Sequence, residues 1–201
     1  MALLHESGHA QHFAWTNAAL PAEHRLCGDR GLSEVYAFLF EHLIWNRYWL
    51  EIRTGFKDSD EFLRFHGLVR VHLIRRYCGK LRYETLLHGA EVLEDPPRVY
   101  AEILEQCTAL RYDGESFLED LDDGFYSADY LRAWISEAQL RDYLMSRFGW
   151  AWFQVRAAGQ FLKEIWYTGQ LYTVEELSKE IGIGEPDPQA LTDELRSALR
   201  A

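Results

Sequence analysis

Leu3-Leu4-His5-Glu6-Ser7-Gly8-His9-Ala10-Gln11-His12-Phe13-Ala14-Trp15 places two histidines four residues apart, with a glutamate beside the first, in a stretch of helical pattern. Residues at that spacing share one face of a helix. His5 and His9 can therefore each offer an imidazole nitrogen to one metal ion about 2 Å away, a geometry that suits zinc. Glu6 falls on a neighbouring edge, where a carboxylate can take the proton from a water that the metal has made acidic. A catalytic site of this kind needs a third protein ligand and an open fourth position. Glu34, 25 residues beyond His9 and near the start of the next helical stretch, is the candidate. Glu41, two turns after Glu34, lies near the same helix face, and His12, three residues after His9, can also approach the site; both are candidates to support the ligands rather than to bind the metal.

The rest of the chain reads as further helices. The first is expected from Leu3 to about Leu20, ending at Pro21, and the second from about Leu32 to Ile52. Asp58, Ser59 and Asp60 can cap a third, which Gly79 is expected to divide from a fourth. Asp95-Pro96-Pro97 is a break, followed by a helix to about Leu110 and an acidic stretch from Asp113 to Asp123. A long pattern from Tyr126 to Met145 ends at Gly149, and another spans Ala151 to Trp166. Thr173-Val174-Glu175-Glu176 is a capping box opening a short helix that stops at Gly182, and Asp187-Pro188 starts the last helix. With no strand alternation and no internal repeat, the fold class expected is all-α, with residues 1–201 forming one helical catalytic domain or subdomain.

Composition narrows the function. Thirty-two acidic against 21 basic side chains give a net charge of −11, which disfavours a surface that tracks nucleic-acid phosphates. Three scattered cysteines, Cys27, Cys78 and Cys107, make neither a disulfide framework nor a thiolate zinc site, so a reducing cytoplasm is the expected location. The most apolar run, Val35 to Leu50, is interrupted by Glu41, His42, Asn46 and Arg47, and no membrane span or secretory leader is expected.

Together these residues resemble the zinc oligopeptidases of the thimet oligopeptidase and oligoendopeptidase F type. The resemblance rests on His5-Glu6-Ser7-Gly8-His9 with Gly8 and His12 in the family's places, on Glu34 at its spacing, and on Glu41 in the helix that follows. The helical tail, Phe161 to Leu171, Thr173 to Ile183 and Asp187 to Leu199, adds to it. The resemblance implies a multi-helix zincin-like catalytic domain, with His5, His9 and Glu34 as ligands of one zinc ion and Glu6 as general base. It also implies substrate-binding, oxyanion-stabilising tyrosines near the C-terminus, and Gly124-Phe125-Tyr126-Ser127-Ala128-Asp129-Tyr130 is similar to that segment, with Tyr126 and Tyr130 one turn apart. The histidine usual just upstream is absent from Glu115 to Gly124. The helical zinc carboxypeptidases of the thermostable bacterial type share the two-histidine centre, but His12 and the C-terminal segment favour the oligopeptidases.

The family's members are several hundred residues longer, with the additional part preceding the motif, so the chain is expected to correspond to their C-terminal catalytic region. Beside an all-helical structural protein in which the motif is accidental, two readings follow. In the first it is a zinc metallopeptidase that hydrolyses short peptides. In the second it is a truncated or degenerate half that binds zinc but is inactive alone, and that self-associates, complements an N-terminal half or serves as a binding module.

Overall fold

The computed structural model describes residues 2–89 and 92–200. Met1 and Ala201, the ends of the expected domain, lie outside the described residues. About three quarters of the chain is helical, 74%, and no strand occurs among the described residues. In chain order the helices are α1 (Ala2–Trp15), α2 (Ala22–Leu26), α3 (Arg30–Glu41), α4 (Arg47–Thr54), α5 (Asp60–Gly89), α6 (Pro96–Thr108), α7 (Tyr126–Phe148), α8 (Arg156–Tyr167), α9 (Val174–Glu180) and α10 (Gln189–Arg200). No helix of the described residues is long and apolar enough to cross a membrane.

Several boundaries differ from those expected, each for a local reason. α1 stops at Trp15 because Thr16 and Asn17 turn their side chains onto the backbone: Thr16 Oγ1 donates to the His12 carbonyl and Asn17 Oδ1 accepts from Ala19 N. The expected helix from Leu32 to Ile52 is broken after Glu41 by a 3-10 turn over His42–Trp45. Asn46 is extended, with φ −87° and ψ 109°, and caps α4 by accepting from Trp49 N at 2.9 Å. Gly79 does not divide α5. It faces α6, and an added Cβ would lie 2.7 Å from Leu104 Cδ2. The expected helix over Ala151–Trp166 begins as a 3-10 turn, Trp152–Gln154, before α8. The capping box is present, with Thr173 Oγ1 accepting from Glu176 N and the Glu176 carboxylate accepting from Thr173 N.

The chain divides into two compact units, residues 1–66 with 132–201 and residues 67–131, and the boundaries fall inside α5 and α7. At the centre of the first unit lies α3, buried from Gly31 to Leu39. A helix buried all round needs neighbours on every side. Phe38 meets Trp134 with ring centroids 4.9 Å apart, Tyr36 meets Trp166 at 6.0 Å, and Leu32 and Val35 share a small cavity with Leu140, Val174 and Leu177. α1 packs along α3 and also touches α8.

The second unit has its own apolar cluster of Tyr83, Tyr100, Ile103 and Leu104, joined by Leu87, Val99 and Phe117. The acidic stretch is not merely solvated there. Asp120 accepts from Arg76 and from the Tyr100 hydroxyl, and Asp122 accepts from Ser127 and, at 2.8 Å, from the buried Lys80 ammonium.

Candidate metal centre

Asp29 starts α3 by accepting from Gly31 N at 2.9 Å, and it accepts also from Val174 N and the Arg132 guanidinium. Arg132 in turn makes a two-pronged pair with Glu175, from Nε at 2.9 Å and from Nη2 at 2.7 Å. The origin of α3 is thereby tied to α7 and α9. One turn along it stands Glu34, 4% exposed, a carboxylate within the buried stretch of α3. Burying that charge without partners would be costly.

Its partners come from α1. His5 Nε2 lies 3.3 Å from Glu34 Oε2, and His9 Nε2 lies 3.7 Å from Glu34 Oε1. One donor atom from each of the three falls within 4.8 Å of the others. Ligands bonded at about 2.0–2.1 Å to a tetrahedral ion stand roughly 3.3–3.4 Å apart, so both separations are near those of a zinc site.

The close approach of the two helices depends on Gly8. A Cβ there would lie 2.4 Å from the Tyr36 carbonyl oxygen and 2.5 Å from Ala37 Cα. Only hydrogen fits between the backbones, and this places the imidazoles on either side of Gly8 within reach of Glu34.

Both imidazoles are held from behind. His5 Nδ1 is 2.9 Å from Glu41 Oε2, and His9 Nδ1 is 2.8 Å from Ser33 Oγ. With each Nδ1 engaged outward, each Nε2 faces Glu34, which is how metal-binding histidines are commonly oriented. Burial would lower the pKa of His5, but hydrogen bonds and charge from Glu34 and Glu41 outweigh it and raise that pKa to about 9. The donor set of two imidazoles and one carboxylate fits a zinc ion.

Glu6 is exposed and makes no hydrogen bond or ion pair with any described residue. Glu41, expected only near the face of Glu34, lies against His5. His12 is engaged elsewhere: its Nε2 donates to the Gly169 carbonyl at 3.1 Å, and its fully buried ring lies against Phe13 and Tyr36. Burial lowers its pKa to about 4, so it is neutral and pins α1 to the end of α8. Tyr126 and Tyr130 belong to the second unit, where their rings meet edge to face at 4.6 Å and Tyr130 meets Tyr77 at 5.1 Å.

Ser33 was not legible as a site residue, because helical periodicity says only that it adjoins Glu34. A second histidine–carboxylate group also went unseen in the sequence: His42 Nδ1 lies 3.8 Å from Glu194 and 4.0 Å from Glu137. It is already occupied by a fixed cation, since the buried Arg141 donates to both carboxylates.

The chain matches no protein-family model, no curated protein and no solved structure.

Proposed function

We propose that the chain is a zinc metallopeptidase of oligopeptidase type, acting on short peptides, with His5, His9 and Glu34 as ligands and Glu6 as general base. The observation that carries this reading is the convergence of both Nε2 atoms on the buried Glu34 at 3.3 and 3.7 Å, next to an unengaged glutamate. A zinc ion held by His5, His9 and Glu34 would supply Lewis acidity toward a peptide carbonyl or a water. Glu34 contributes the negative charge, and Glu41 stabilises the orientation and basicity of His5. Glu6, exposed and without a competing partner, takes a proton from the attacking water and delivers it to the leaving amine. The reading assigns no step to Tyr126 or Tyr130.

A second reading keeps the zinc site without independent turnover: the chain works as one part of an assembly, with itself or with a complementing polypeptide. It is supported by the apolar side chains that α1 exposes around the motif, Leu3 at 80% and Phe13 at 45%.

Glu6→Gln separates these readings from each other and from their failure. Under the first, the natural chain cleaves a quenched fluorescent peptide, while the variant binds one zinc and cleaves nothing. Under the second, both bind one zinc and neither cleaves alone. No zinc in either protein would overturn both readings, and unchanged cleavage by the variant would overturn the role of Glu6.

A further inference from the structure

The two imidazoles at the centre are backed by unlike groups. Behind His5 stands a carboxylate, Glu41, and behind His9 stands a neutral hydroxyl, Ser33. Both backing groups and Glu34 are on α3, and both histidines are on α1. Ser33 is 6% exposed, and among the described residues its hydroxyl makes one hydrogen bond, to His9 Nδ1 at 2.8 Å. In an α-helix, serine hydroxyls commonly bond the carbonyl four residues back. This one instead crosses to α1.

We infer that Ser33 is a positioning residue of the metal centre: its hydroxyl accepts the Nδ1 proton of His9 and so fixes both the ring orientation and the tautomer that leaves Nε2 free to bind the metal. The inference rests on the zinc reading above. Its physical basis is that a neutral imidazole carries one ring proton, and whichever nitrogen holds it cannot be a ligand. The His9 side chain is 22% exposed, so without a fixed acceptor at Nδ1 the ring would exchange between tautomers and between orientations at the expense of binding. Backing groups of this kind typically change metal affinity about 10–100-fold. A hydroxyl polarises the ring less than a carboxylate does, so His5 is the stronger donor of the two and His9 depends more on being held in place.

The test measures zinc affinity by chelator competition in the full chain, for the natural protein and for Ser33→Ala, Ser33→Thr and His9→Ala. Helix content by circular dichroism and the unfolding midpoint of the zinc-free proteins report folding. Ser33→Ala should fold normally and lose at least about tenfold in zinc affinity. Ser33→Thr, which retains a hydroxyl, should recover most of the loss. In the zinc-loaded natural protein the His9 Nδ1–H resonance should be sharp in a 15N-correlated spectrum, and in Ser33→Ala it should be broadened by exchange with water. That signal keeps the inference falsifiable if the added methyl of threonine disturbs packing. Affinity within twofold of natural in Ser33→Ala, or an unchanged Nδ1–H resonance, would overturn the role of Ser33. Retention of zinc by His9→Ala would overturn the metal centre itself, so the two failures are distinct.

Discussion

The Cβ that Gly8 lacks would lie 2.4 Å from the carbonyl oxygen of Tyr36. Backbone meets backbone at that point, between two histidines that must reach across to Glu34. The glycine in the middle of the motif is thus a packing requirement of the α1–α3 contact rather than a helix preference, since alanine would otherwise favour the helix by about 1 kcal/mol.

Gly8→Ala should therefore destabilise the protein despite the better helix former. Overpacking against backbone atoms that cannot rotate away costs about 1–3 kcal/mol, and urea unfolding measures it. Zinc affinity should fall in the same variant, because α1 moves off α3 and carries both imidazoles away from the carboxylate. A stability at or above that of the natural chain would contradict the packing argument.

Glu34→Gln tests the donor set. The amide keeps the shape of the side chain but removes the charge on which both histidines converge, so zinc binding under chelator competition should weaken by at least about tenfold. In the metal-free protein the same change should bring the pKa of His5 down from about 9, because one of its two carboxylate partners is lost. Histidine proton resonances followed against pH report this shift directly.

His12 predicts how the protein responds to acid. Its pKa is about 4 in the folded state and 6.5 as a free side chain. Above pH 6.5 both states hold a neutral ring and the group imposes no pH dependence. As pH falls from 6.5 toward 4, the unfolded chain takes up a proton that the buried ring refuses, and stability is lost. The full effect is about 3 kcal/mol, spread over that window. Urea midpoints between pH 7 and 4 should show the decline, and His12→Gln should flatten this component of it while lowering stability at pH 7, where the bond to Gly169 matters.

Arg132 predicts the cost of loosening the origin of α3. It pairs with Glu175 through two bonds and with Asp29, the residue that caps the helix carrying Ser33, Glu34 and Glu41. Arg132→Ala should cost about 2 kcal/mol, the range of strong charged hydrogen bonds that are partly shielded from water. Arg132→Lys should recover little, since an ammonium cannot reproduce the planar fork. Thermal unfolding of the two variants, side by side, checks both statements.

In the second unit, Lys80→Ala should cost more than Arg132→Ala. The ammonium is buried between Asp120 and Asp122, and its removal leaves these carboxylates, with Glu84 accepting from Asp122 N beside them, without that cation. A destabilisation of about 3 kcal/mol that is relieved on lowering the pH toward 4 would identify like-charge repulsion as the cause.

Local periodicity was enough to determine the all-α class, the shared face of His5 and His9, the placing of Glu41 two turns beyond Glu34, and the capping box at Thr173. All of these depend on residues within two turns of one another, where the 3.6-residue repeat dictates which side chains are neighbours. The partner each side chain meets on another helix was decided by tertiary packing. His12 and Glu41 looked equally suited to support the ligands, yet Glu41 turns to His5 while His12 turns to Gly169, 157 residues away. Gly79 read as a helix end and is instead the point where α6 lies against an unbroken α5. Ser33 carried no signal at all, because its bond to His9 exists only where the missing side chain of Gly8 lets two backbones touch. Helical repeats encode which face a residue occupies, and only the packing of that face against another determines what the residue does.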